Sequence, residues 1–427
     1  MKLLIKNGRI IDPASGKDEI LDILIDKGKI IDLKPQIKDD NAHTLDVPGK
    51  VVAPGFIDMH VHLREPGQEY KETIRTGAQA AARGGFTSIA CMPNTSPVND
   101  SRGVTEFILN EASKKAPVNV FPIAAVTRGL QGEEITDMVD LIDAGAIAFS
   151  DDGQPVSNSQ IMRRAMEYAK ISRSLIIDHC EDKELSADGV MHEGHYSNIL
   201  GLNGIPSPSE EVMIARDILL AEYLEARIHI AHISTKRSVS LVKAAKKRKI
   251  RITAEVTPHH ILLTDKDLQT YDTNFKMKPP LRGEEDKKAI LAAVLDGTID
   301  VFATDHAPHT PDEKEVEFDY APFGIIGLET AVPLLLDKLV NPGLISLHRF
   351  VEMMSLNPAT ILGLKNKGRI DIGADADLTV LNLSTNHTID SGSFFSKSRN
   401  TPFDGWTVKG IPEITIVSGK IVHKAKI

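Results

Sequence analysis

Between residues 51 and 304 the chain alternates short apolar runs with amphipathic stretches, and this restricts the available folds more than any other feature. The runs cover residues 86–92, 118–125, 146–150, 175–179, 228–233, 252–256 and 301–304, with 51–62 as the first of the set. Stretches of helical period such as 210–224 and 284–295 follow them. Strand, helix, strand, repeated about eight times, is the pattern of an α/β chain folded as a (β/α)8 TIM-like barrel. An open doubly wound sheet gives a similar one-dimensional pattern and is the alternative, but no glycine-rich phosphate loop follows the first run.

The two ends read differently. Alternating β signals at 3–11 and 20–33 are broken by Asn7-Gly8 and Lys27-Gly28, and the last sixty residues repeat the style at 378–383 and 414–422 around Ser418-Gly419. A few strands need partners before they are stable, so the ends are expected to join into one small β-sandwich. The expected division is a composite β domain from 1–53 and 368–427 around a barrel at 54–367.

Composition excludes several classes of partner. A net charge of −9, with only 5% aromatic residues, argues against a phosphate backbone or a base-stacking surface. The one dense basic run, Lys243 to Arg251, has helical spacing and reads as a solvated helix end. Two cysteines, Cys91 and Cys180, supply neither a disulfide framework nor a thiolate zinc site, and both read as small buried residues. The first residues lack the continuous apolar core of a signal peptide, and no apolar run is long enough to span a bilayer. A reducing cytoplasm is therefore the expected compartment.

In a barrel of this kind the chemistry sits at the C-terminal ends of the strands, where this chain places its histidines and acids. The first run ends in His60-Val61-His62, and because strand side chains repeat every two residues both imidazoles leave on one face. His179, His232 and Asp305 close three later runs at the same end. A single histidine ending a strand is an ordinary core or surface residue, but five such residues in register point to metal. They exceed the three protein ligands of one catalytic zinc, so a two-metal site fits better, its ions roughly 3.5–4 Å apart across an anionic bridge. Related barrel hydrolases often use a carbamylated lysine there. No lysine occurs between Arg128 and Arg163, and the fourth run ends in Asp151-Asp152, so the bridge is expected to be a carboxylate, Asp152 or alternatively Asp151. The same Ser-Asp-Asp-Gly is also good turn chemistry. Zinc is the metal expected from the ligand types, although cobalt or manganese accepts the same set.

Three segments carry a family resemblance: His60-Val61-His62-Leu63-Arg64-Glu65-Pro66-Gly67, Met92-Pro93-Asn94-Thr95, and Ala303-Thr304-Asp305-His306-Ala307-Pro308-His309. With Glu255 to His260, Pro279 to Arg282, Phe323 to Glu329 and Asn357-Pro358-Ala359, they make the chain resemble the type I bacterial dihydroorotases of the cyclic amidohydrolase superfamily along its whole length. The resemblance implies two zinc ions per subunit, bridged by Asp152 and a hydroxide and held by His60, His62, His179, His232 and Asp305. It makes Asp305 the proton carrier and implies substrate contacts from His62, Arg64, Asn94 and His309, with backbone contacts at Phe323-Gly324. One position departs: many relatives have a substrate-touching asparagine before Pro-Pro-Leu-Arg, where this chain has Lys278, which is expected to contact the substrate there as a point charge that can pair with a carboxylate but lacks the amide's acceptor.

The implied reaction is the reversible interconversion of dihydroorotate and water with N-carbamoyl-L-aspartate, in pyrimidine biosynthesis. Two other readings remain at this stage. One is a hydantoinase or allantoinase, whose substrates lack a carboxylate for Arg64. The other is a catalytically silent partner of aspartate transcarbamoylase, a type that typically loses the metal-binding histidines retained here. The resemblance allows a homodimer or a transcarbamoylase complex, and no nucleic acid or membrane partner is expected. Residues 310–320 are expected to be an irregular polar loop beside the site, either a lid or a solvated insertion. His259 and His260 are expected to play supporting roles. His43, His192, His195, His229, His348, His387 and His423 form no constellation.

Overall fold

The computed structural model describes residues 2–426. Eight parallel strands, Phe56–Val61, Phe86–Cys91, Asn119–Ala124, Ala148–Phe149, Ile176–Asp178, Ile228–Ile230, Ile252–Val256 and Val301–Phe302, pair in sequence order. The ring is drawn nearly shut where Val61 bridges His306 and the His62 amide donates to the His306 carbonyl at 2.8 Å. Ile57, Met59, Ala90, Ile123, Ala148, Ile177 and Val301 form one buried cluster of strand residues, with Ala231 just past the end of its strand. A larger cluster joins the opposite strand faces to the helices. The barrel expectation holds and the open sheet does not.

The helices form for local reasons. Pro208–Leu224 starts with proline, places Glu210 and Glu211 in its first turn where they complement the dipole, and buries Met213, Ile214, Asp217, Ile218 and Ala221 along one stripe. Ile74–Arg83 is opened by a capping box between Thr73 and Thr76. Among the described residues no helix is long and apolar enough to cross a membrane.

The ends do join. Strands between Lys2 and Pro54 and between Leu378 and Lys424 form a second sheet of eight strands over a core that includes Ile5, Ile23, Val52, Leu378 and Ile416. The sheet curls until its two hairpin turns meet, the Gly419 amide donating to Ala376 O at 2.9 Å and the Ala376 amide to Gly28 O at 2.9 Å.

Two local expectations are corrected. Asn7-Gly8 is not a turn: Lys2–Asp12 is one strand whose register shifts between Ile5 and Gly8, with Asn7 at φ 59°, so the extra residue is absorbed as a bulge. Residues 51–62 are two strands. Val51–Pro54 belongs to the terminal sheet and Phe56–Val61 to the barrel, separated at Gly55, whose amide donates to Asp377 O at 2.8 Å. An apolar run cannot reveal that its halves belong to different sheets.

Candidate metal centre

The six expected ligands converge at the C-terminal mouth of the barrel. His60 leaves the inner alternation of Ile57 and Met59 where the first strand shifts register between Asp58 and Val61, a bulge that re-aims side chains. His60 Nε2 lies 3.3 Å from Asp152 Oδ1 and 3.5 Å from Asp305 Oδ1, and His62 Nε2 lies 3.1 Å from Asp305 Oδ1 and 3.5 Å from Asp152 Oδ2. Asp152 Oδ1 is also 3.3 Å from His179 Nδ1 and 3.6 Å from His232 Nε2. Asp152 thus stands between both groups of donors. Asp305 and His232 both adopt positive φ, 48° and 27°, a costly backbone state that clusters at functional sites.

These contacts fit a cation better than a hydrogen-bond network. His60 Nε2 and Asp152 Oδ1 are buried and have no hydrogen-bond partner, although they face each other. Donors bound to one tetrahedral zinc at about 2.0–2.1 Å lie about 3.4 Å from each other, the spacing seen here. Within this centre two triads, His60, His62 and Asp305, and His60, Asp152 and His232, each bring one donor atom per residue within 4.8 Å of the others. Burial works against ionisation of Asp305, yet His60, His62 and His232 beside it, with a hydrogen bond from His62, hold its carboxyl down to about 2, so it faces the centre as a carboxylate.

Asp151 has a different task. It accepts hydrogen bonds from the amides of Val126 and Thr127 at 2.7 and 3.0 Å and from the Thr127 hydroxyl, so it anchors the loop and leaves Asp152 facing the centre.

The far ring nitrogens are held too. His60 Nδ1 meets Glu255 Oε1 at 2.7 Å, His62 Nδ1 meets Asn94 Oδ1 at 2.8 Å, and His179 Nε2 meets Glu181 Oε2 at 3.2 Å. Sequence reasoning missed Glu255 and Glu181. The signals were a carboxylate inside the apolar run 252–256, and an acid two residues beyond His179 with the same spacing as His60 and His62. His229, given no role from sequence, holds the other oxygen of Glu255 at 3.1 Å. His260 is tied to Thr257 Oγ1 and Pro279 O at 2.7 and 3.0 Å, and His259 is buried with Nε2 unpartnered.

Beside the centre opens a cavity of about 420 Å³ lined by His62, Arg64, Asn94, Lys278, His309, Phe323 and Gly324, together with Lys183 and Gln154. Arg64 is only 8% exposed, yet no acid pairs with it among the described residues. Its Nε donates to Pro308 O at 3.2 Å and its Nη2 reaches only His309 Nε2, at 3.4 Å. Burial lowers its pKa, and an anion entering the cavity would relieve that cost. Gly324 has φ 126°, and a Cβ there would come within 2.6 Å of Ala307 Cβ, so glycine is required at this wall. Lys278 lines the cavity, but its Nζ is 2.5 Å from Glu181 Oε1 and 4.8 Å from the centre of the Phe323 ring.

The loop at 310–320 is more ordered than expected. Thr310 caps a short helix, Pro311–Lys314, and the buried Lys314 ammonium donates to Pro322 O and Gly324 O at 2.9 and 3.2 Å. Asn400, remote in sequence, reinforces the same wall by donating to Ala307 O and Gly324 O, each at 3.0 Å.

A (β/α)8 barrel with buried histidine and aspartate donors gathered at the C-terminal ends of its strands is the arrangement of a metal-dependent hydrolase. The family model described as Dihydro-orotase-like matches residues 49–238, and that of the Amidohydrolase family matches 224–423. The chain is 54% identical to a dihydroorotase of Pelotomaculum thermopropionicum over all of both chains, and 52% identical to one of Syntrophus aciditrophicus over 99% of this chain and all of that one. Among solved structures it is similar to an L-hydantoinase from Arthrobacter aurescens, at TM-score 0.90 and 27% identity over 99% of this chain and 96% of the other. This chain belongs to the dihydroorotase family.

Proposed function

We propose that the protein interconverts (S)-dihydroorotate and water with N-carbamoyl-L-aspartate, and that His60, His62, Asp152, His179, His232 and Asp305 would hold two zinc ions for this reaction. The observation that carries this reading is the pairing of the six-donor centre with a buried guanidinium that has no acid partner among the described residues. Bound metals would polarise the ring amide carbonyl and lower the pKa of the attacking water. Arg64, with Asn94 and His309, takes the substrate carboxylate and so fixes which ring carbonyl faces the donors. Asp305 accepts the proton of the attacking water and returns it to the ring nitrogen as the carbon–nitrogen bond breaks. Reversal of these steps closes the ring and releases water. The backbone at Phe323-Gly324 borders the ring, and Lys314 and Asn400 keep it in place.

Hydantoins, the substrates suggested by the fold neighbours' names, carry no carboxylate for Arg64, and the bridging position here is an aspartate. Both points favour dihydroorotate. The test is to strip metal with a chelator and titrate zinc back while following dihydroorotate hydrolysis. Activity should be complete at two equivalents, and Asp152→Asn should remain inactive at any zinc level. Full activity in the stripped protein would refute the reading.

A further inference from the structure

A neutral imidazole offers a metal one lone pair, and the partner on its other nitrogen decides which one. Three of the four histidines at the centre have such a partner: Glu255 for His60, Asn94 for His62 and Glu181 for His179. The two carboxylates differ in how they are supported. Glu255 lies within the strand Ile252–Val256, and its second oxygen is held by His229. Glu181 lies in the loop after Ile176–Asp178, where no ladder fixes it, and its second oxygen is held by Lys278 at 2.5 Å. The Lys278 ammonium also sits over the Phe323 ring, at 4.8 Å.

We propose that Lys278 is a positioning residue of the metal centre: it seats Glu181, and Glu181 fixes the His179 ring with Nδ1 turned toward Asp152. The proposal rests on the metal-centre reading above. It gives the lysine that replaces the family's asparagine a task other than binding the substrate carboxylate. Its charge is committed to Glu181, so recognition of that carboxylate falls to Arg64. Lys278→Met leaves one Glu181 oxygen free, the carboxylate can turn away, and the His179 ring loses its orientation. Lys278→Arg keeps a cation within reach.

The experiment compares zinc-loaded wild type with Glu181→Gln, Lys278→Met, Lys278→Arg and the Glu181→Gln/Lys278→Met double variant. Two readouts are taken: the rate of zinc release to excess chelator, and kcat and KM for dihydroorotate. Loss of a partner behind a metal-binding histidine costs roughly 10–100-fold in metal affinity, so Glu181→Gln should release zinc at least about tenfold faster. Lys278→Met should shift release the same way by about threefold or more and lower kcat, with KM within about twofold, while Lys278→Arg restores both. In the double variant the lysine change should add almost nothing, because the two side chains act as one unit. Unchanged or slower zinc release from Lys278→Met, a rise confined to KM, or additive effects in the double variant would overturn the proposal alone. A wild type that binds no zinc would overturn the metal-centre reading and this proposal with it.

Discussion

Replacing Arg64 with methionine separates recognition from folding, because the guanidinium is buried with few protein partners. Its one well-formed protein bond is Nε to Pro308 O at 3.2 Å, which leaves the Nη donors for the cavity. Two hydrogen bonds to a carboxylate, each worth about 1.5–3 kcal/mol when charged, amount to about 3 kcal/mol or more. Such a loss lowers kcat/KM for dihydroorotate at least about a hundredfold. Stability should hardly change, because methionine fills similar volume and losing the bond to Pro308 is offset by removing a buried cation. The melting temperature should therefore stay within about 3 °C of wild type. The assay is steady-state hydrolysis of dihydroorotate with metal content checked, alongside dihydrouracil, which lacks the carboxylate. Wild type should discriminate strongly between the two and the variant should not. A loss below about fivefold on dihydroorotate in a fully metallated variant would refute the assignment of Arg64.

Glu329 predicts a pH effect on stability. Its side chain is 2% exposed and accepts the amides of Phe395 and Ser396 at 3.0 and 3.1 Å, and burial pushes its carboxyl up from 4.5 to about 7. The folded state holds this proton more tightly, so its stabilisation is complete below pH 4.5 and is lost as pH rises through 7. Relative to Glu329→Gln, which does not titrate, wild type should lose about 3 kcal/mol of unfolding free energy across that window, measured by denaturant melts at several pH values. Gly324→Ala forces a side chain to φ 126° against Ala307, so it should cost about 1–3 kcal/mol of stability and raise KM for dihydroorotate, both read from melts and kinetics on one preparation.

The candidate ligands were legible because strand geometry makes them so. His60 and His62 share a face by the period of two, and the remaining donors close apolar runs whose lengths can be read directly. The choice between Asp151 and Asp152 was not legible, since it depends on the amides of Val126 and Thr127, which come from the preceding strand's loop. Glu255 and His229 were hidden for a related reason: His60 lies 195 residues from Glu255 and His229 lies 26 residues from it, and the barrel brings them together, whereas Glu181, two residues from His179, lies in a loop outside the strand period. The wall at Gly324 depends on Asn400, 76 residues further on. The joining of the two ends was legible in outline. The division of residues 51–62 between two sheets was not, because both strands are buried and equally apolar.

The most direct measurement of the central claim is turnover of dihydroorotate, hydantoin and allantoin by zinc-loaded protein, with His60→Ala in parallel. The account predicts hydrolysis of dihydroorotate alone, abolished in the variant. Hydantoin or allantoin turned over in preference to dihydroorotate, or full activity in His60→Ala, would contradict it.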